Sequence, residues 1–157
     1  MKMRTIIVAL AFCVAACAAS FASDASDANV GTWKLNEAKS KIPAGMSKNI
    51  SVVYTAEGDS YKAVVDGVDG SGKPTHNEWT GKFDGKDYPV TGDPTADTRA
   101  IKKVDDSHYE LTNKKDGKAT TTGTITFSAD GKTRTLVTHG TDAKGKKVSA
   151  TSVFDKQ

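Results

Sequence analysis

From about residue 50 onward, apolar and polar positions alternate with a period of two, broken at short intervals by turn-forming residues. In "NISVVYTA" one face is Ile50, Val52 and Tyr54; in "SYKAVVDG" it is Tyr61, Ala63 and Val65; in "THNEWTGKF" it is Thr75, Asn77, Trp79, Gly81 and Phe83. Later segments continue with Tyr109 and Leu111, then Gly123, Ile125 and Phe127, then Leu136, and finally Val148 and Ala150. The opposite faces are mostly charged or hydroxylated, most plainly in the row Thr120, Thr122, Thr124 and Thr126. An extended chain sends successive side chains to opposite sides, so each segment reads as a strand buried on one face only. The one helical candidate is "NEAKSK", with Asn36 as N-cap and Pro43 shortly after, worth a turn or two.

Between the strands stand "AEGDSY", "VDGSGK", "FDGKDY", "VDDSHY", "KKDGKA", "SADGKT" and "TDAKGK". Asp-Gly favours tight hairpins, because glycine accepts positive φ freely and aspartate tolerates it better than most residues. Strand-length segments separated by such turns form an antiparallel meander, and the repeated "DGK" is turn chemistry recurring in it. Many one-faced strands joined by short local links are best buried by closing one sheet on itself, which also removes unpaired edges. The expected fold is all-β: an antiparallel up-and-down barrel of about 8 to 10 strands. "YPVTGDPTADT", residues 88–98, interrupts the meander; Pro89 and Pro94 forbid continuous pairing there. It is expected to be a short strand and corner loop at the barrel mouth.

The first residues carry a different pattern. Lys2 and Arg4 precede an apolar stretch, residues 5–16, and small residues follow, the three-part layout of a secretory signal. That stretch is too short for a membrane span, which needs ~20 apolar residues. Cleavage after "SFA" would remove residues 1–22; the alternative, the lipobox-like "VAAC", would remove residues 1–16 and leave Cys17 lipidated. Residues 23–29 then read as a flexible N-terminal segment and 30–157 as the barrel domain. Export to the periplasm or beyond is expected, as a soluble protein or an outer-membrane lipoprotein, with the membrane touched only through that anchor.

Charge narrows the partners. The chain has a formal net charge of +3, but removing the signal's Lys2 and Arg4 leaves 20 basic residues against 19 acidic ones. No electrostatic case for nucleic acid survives. Both cysteines, Cys13 and Cys17, lie in the signal region, so no disulfide is expected in the domain.

"GTWKL", with Gly31 and Trp33, resembles the first strand of the calycins, the lipocalins and intracellular fatty-acid-binding proteins. "GTWKLN", "GKP" and "DGKDYPVTG" together resemble secreted bacterial lipocalin-like proteins of unassigned function. The resemblance implies a lipocalin-like barrel with Trp33 packed across a floor beside Gly31, and a small ligand inside. Two departures stand out: residues 36–48 are too few for the helical lid of fatty-acid-binding proteins, and the last strand, "SATSVF", lacks their closing Arg-x-Tyr.

Catalytic patterns are missing: the domain has no cysteine nucleophile, H-E-x-x-H, G-x-S-x-G or phosphate loop. No catalytic residue, metal or cofactor is expected. His76 with Glu78 and His108 with Glu110 form two His-x-Glu pairs, but their parity points them outward. The acids of "DGVDGSGKPTHNE" resemble a calcium loop, yet Val68 and Gly70 stand where oxygen ligands are needed.

Two arginines carry more. After the signal the chain has 18 lysines but only Arg99 and Arg134, which share parity with the inward Ile101 and Leu136. Unless these strand ends are frayed or reached by solvent, a buried guanidinium needs a partner, whether an internal acid or an anionic ligand. Arg99 and Arg134 are therefore the expected head-group residues for a small amphipathic or hydrophobic ligand, with Tyr61, Trp79 and Tyr109 lining its route. The competing reading is an interaction module whose barrel is filled by its own side chains and whose outside or loops bind a protein. Interior volume discriminates: many aromatics face in, but Ala63, Gly81, Gly123 and Ala150 argue for space.

Overall fold

The computed structural model describes residues 27–142 and 145–157 of the 157-residue chain. The expected export signal, both cleavage positions and Cys17 lie outside the described residues. Ten strands follow in order: β1 (Gly31–Leu35), β2 (Lys48–Glu57), β3 (Ser60–Val68), β4 (Pro74–Gly81), β5 (Tyr88–Thr91), β6 (Thr98–Lys103), β7 (His108–Lys115), β8 (Lys118–Phe127), β9 (Thr133–Thr141) and β10 (Lys147–Lys156). Each pairs antiparallel with its neighbours in sequence, and β1 pairs with β10, so the meander closes into an up-and-down barrel. The closing register sets Trp33 opposite Lys156 and Leu35 opposite Phe154. "NEAKSK" supplies only one 3₁₀ turn, Glu37–Lys39, whose Lys39 N–H donates to the Asn36 side chain.

The local chemistry explains the joints. At the β7–β8 hairpin Asp116 and Gly117 both have positive φ, 50° and 74°, the two-residue turn whose twist matches the strands it joins. β5 is held by only two residue pairs to β4 and two to β6, in keeping with Pro89 within it and Pro94 just after it. Parity fails once. Ile50 is expected inside, yet the β2 register shifts between Asn49 and Ser51, and Ile50 turns outward at 42% exposure. One extra residue on one strand reverses every side chain beyond it. The Lys48 carbonyl of the bulge presses on the place a Cβ would occupy at Gly67 of β3, so glycine is required there.

The interior divides along the barrel axis. At the end where β1 begins and β10 ends, aromatic rings fill it. Trp33 packs on Phe127 (5.4 Å between centroids), Phe127 on Tyr109 (5.7 Å) and Tyr109 on Phe83 (5.3 Å), while Phe83 stacks on Tyr61 (4.1 Å). These mostly edge and offset contacts are the favourable geometries for quadrupolar rings. This closed end is the expected floor: Trp33 is fully buried, with Lys156 Nζ over its ring at 5.2 Å.

The floor extends further toward the N-terminus than expected. Residues 27–29 belong to the packed domain rather than to a flexible segment: Asp27 is 6% exposed and Asn29 not at all. Buried donors on the floor explain why. Tyr109 donates its hydroxyl to the Asp27 carboxylate at 2.7 Å, Lys103 Nζ donates to it at 3.2 Å, and Trp33 Nε1 donates to the Asn29 carbonyl at 2.8 Å. Without that segment the phenol and indole would be buried unpaired.

Burial, and then the adjacent Asp27 carboxylate, push the Tyr109 phenol well above its ordinary range. A phenol raised in the folded state contributes stability that is complete below the unfolded value of 10.0 and is lost as pH rises above it. Urea midpoints should therefore fall above about pH 10, and Tyr109→Phe should flatten that fall relative to wild type. Parallel alkaline profiles of the two proteins would contradict it.

Candidate binding cavity

Beyond the aromatic floor the barrel opens into a cavity of about 540 Å³. One wall is largely apolar, with Val52 and Tyr54 from β2, Val65 from β3 and Ala150 from β10. The other carries Asn77, Arg99, Asn113 and Thr121 from β4, β6, β7 and β8, with Leu111 of β7 and Leu136 of β9 among them. Loop residues 45–47, Asp93, Thr95 and Asp142 line it at the mouth. Asp93 and Thr95 come from the proline-bounded β5–β6 loop that the sequence nominates as mouth.

Both arginines face inward, as period-two parity requires: Arg99 is 7% exposed and Arg134 2%. Their surroundings differ. Arg99 donates from Nε to Asn113 Oδ1 at 2.9 Å and from Nη1 to Asn77 Oδ1 at 3.3 Å, and its Nη2 lies 3.5 Å from the Asp93 carboxylate. Trp79 Nε1 donates to the Arg99 carbonyl at 2.9 Å and fixes the backbone beneath it. Here the internal acid foreseen as one option is Asp93. Arg134 has no such set. Its Nε and Nη1 are buried without hydrogen-bond partners, and its flat guanidinium lies over the rings of Phe154 (5.3 Å) and Tyr54 (5.9 Å). Burial pulls its proton affinity below the ordinary value; Tyr54 opposes that shift and the Arg99 charge adds to it. The group still stays charged, because arginine's proton affinity is so high.

Tyr61, Trp79 and Tyr109 are not among the cavity-lining residues. All three are buried in the floor cluster, where Tyr61 and Trp79 stack on Phe83 and Tyr109 meets it edge-on. Tyr54 is the ring that reaches the cavity. The small inner residues also divide. A Cβ on Gly81 would overlap the rings of Trp79 and Tyr88, and one on Gly123 would press on the Val137 carbonyl at 2.7 Å, so these glycines admit neighbours rather than create space. Ala63 is packed in the core, and Ala150 alone of the four lines the cavity.

The histidine pairs lie on the outer surface, as parity implies. His76 is bracketed by Asp66 (2.7 Å) and Glu78 (3.3 Å), whose hydrogen bonds raise its pKa, while His108 turns to Asp105 at 2.9 Å rather than to Glu110. Among the described residues no group of three or more His, Cys, Asp or Glu side chains is placed to hold a metal ion. A second hollow of about 430 Å³ is lined by residues 119–122, 139–141 and 147–149 of β8, β9 and β10; it shares Thr121, Thr141 and Val148 with the cavity and has neither arginine at it.

Residues that sequence reading passed over are the partners of Arg99. Asn77 and Asn113 have inward parity beside Trp79 and Leu111, so a carboxamide on an otherwise apolar face was the available signal. The contribution of Asp93 depends on how a loop folds back and has no periodic signature. No protein-family model matches this sequence, and no curated protein matches it.

Proposed function

We propose that this protein binds a small molecule inside its barrel, with Arg134 holding the ligand's anionic group. One observation carries the reading: a guanidinium 2% exposed, two of its nitrogens unpartnered, on the wall of a cavity of about 540 Å³. A lone buried charge opposes folding unless a counter-charge meets it, and the planar fork of arginine suits the two oxygens of a carboxylate. The volume falls within the range of pockets that take drug-sized molecules. The open half supports ligand binding over an interaction module, whose interior would be filled throughout.

The resemblance of "GTWKLN" to lipocalin-like proteins supports the same reading. The N-terminal pattern supports export, so the protein works in the periplasm or at the envelope, soluble or anchored through Cys17. Native mass spectrometry of protein purified gently from its own envelope tests the role. Wild type should retain a small-molecule mass that Arg134→Gln loses, whereas a wild-type mass equal to the polypeptide alone would count against it.

A further inference from the structure

We infer that the ligand is a carbohydrate acid, a polyhydroxylated molecule with one carboxylate, rather than a long-chain lipid; this rests on the cavity-binding role proposed above. The first ground is charge. Among the described residues, the charged ones lining the cavity are Arg99, Arg134, Asp93 and Asp142. Arg99 is matched by Asp93 at 3.5 Å and by two carboxamides, while Asp142 sits in the β9–β10 turn at the mouth, accepting from the Lys146 N–H at 2.9 Å. What is unmet is local: Arg134 has two buried nitrogens without hydrogen-bond partners and no carboxylate against it, so the place beside it takes one anionic group. A dianion would have to draw Arg99 away from Asp93, Asn77 and Asn113 together.

The second ground is the wall. Thr121, Thr138 and Ser152 line the cavity from β8, β9 and β10, and Asn113 adds a carboxamide from β7. All are on inward-facing positions; Thr138 and Ser152 stand well inside their strands, and Asn113 and Thr121 lie nearer the mouth. Leu111, Leu136 and Val148 stand between these polar groups, so an alkyl chain laid there would gain apolar contact but would strip water from the hydroxyl and amide groups without replacing their hydrogen bonds. A sugar returns a hydrogen bond to each and sets its C–H face against the apolar wall of Val52, Tyr54 and Val65. The lining interleaves polar and apolar groups, as the surface of a sugar ring does, and the carboxylate supplies what Arg134 lacks.

The probes are lactobionate and gluconate as sugar acids, lactitol as the neutral counterpart of lactobionate, and dodecanoate as the lipid acid, titrated calorimetrically. Wild type should bind lactobionate about ten- to a hundredfold more tightly than lactitol, and Arg134→Gln should erase that difference. Thr138→Val, nearly isosteric, should weaken lactobionate several-fold without weakening dodecanoate, and it keeps the test valid should Arg134→Gln fail to fold. Dodecanoate binding as tightly as lactobionate would overturn the sugar-acid assignment while leaving the cavity role standing. If neither sugar acid binds, the assignment fails whatever dodecanoate does. Lack of binding by all four, with a bare wild-type native mass, would remove the cavity role as well.

Discussion

Arg134→Met should raise the urea midpoint of the empty protein and at the same time remove its affinity for anions. The unusual sign follows from the surroundings of the guanidinium. Desolvating a charge costs several kcal/mol even after relaxation, and Arg134 recovers little of it through hydrogen bonds, since Nε and Nη1 have none. The rings of Tyr54 and Phe154 offset part, at ~0.5 to 2 kcal/mol for each favourable cation–π contact. Methionine keeps an unbranched apolar stem against the same rings and carries no charge to desolvate. The net gain should be ~1 to 3 kcal/mol, within the range seen when buried charges give way to apolar side chains. Loss of the charge-assisted bonds should weaken a carboxylate ligand by roughly ten- to a hundredfold or more. Equilibrium urea unfolding with and without ligand reads both effects. A midpoint lowered by Arg134→Met would mean that the folded empty protein already satisfies the guanidinium, and the anion site would lose its physical basis.

The same contrast explains what the sequence could and could not disclose. Alternation along β3, β4, β7 and β8 revealed the inner faces, and "DGK" revealed the hairpins, because both signals are local and periodic. Parity turned Arg99 and Arg134 inward for the same reason. It failed at Ile50, where a single bulged residue resets the alternation, and no composition rule announces a bulge. Depth along the axis was also hidden. Tyr61, Trp79 and Tyr109 face inward as expected, but whether an inward ring lines a cavity or seals a floor depends on which end of its strand carries it and on the register of its neighbours. Tyr61 stands opposite Gly81 and Tyr109 opposite Ile125, all on the floor side. The packed state of residues 27–29 was hidden too, since "SDASDAN" is small and polar enough to read as a tether. Only the buried hydroxyl of Tyr109 and the buried N–H of Trp33 show what holds it.

Trp33→Ala should be the most damaging single substitution on the floor. The indole is fully buried, lies against Phe127, takes the Lys156 ammonium over its face and donates to the Asn29 carbonyl. Truncating a buried tryptophan costs ~3 to 5 kcal/mol through lost transfer energy and the cavity left behind. Small domains have ~5 to 15 kcal/mol in all, so the variant should approach the limit of folding. Its effect should not stop at the floor, because the same indole anchors the N-terminal segment that receives the Tyr109 hydroxyl through Asp27. Trp33→Phe separates the two contributions: it keeps an aromatic plug but removes the N–H donor, and should cost ~0.5 to 1.5 kcal/mol for the hydrogen bond in addition to a smaller packing loss. Urea midpoints should therefore fall in the order wild type, Trp33→Phe, Trp33→Ala, with the larger step at the second substitution. If Trp33→Ala unfolds at the wild-type midpoint, the indole does not close the barrel; if Trp33→Phe costs as much as Trp33→Ala, the bond to Asn29 rather than the packing of the ring holds the floor together.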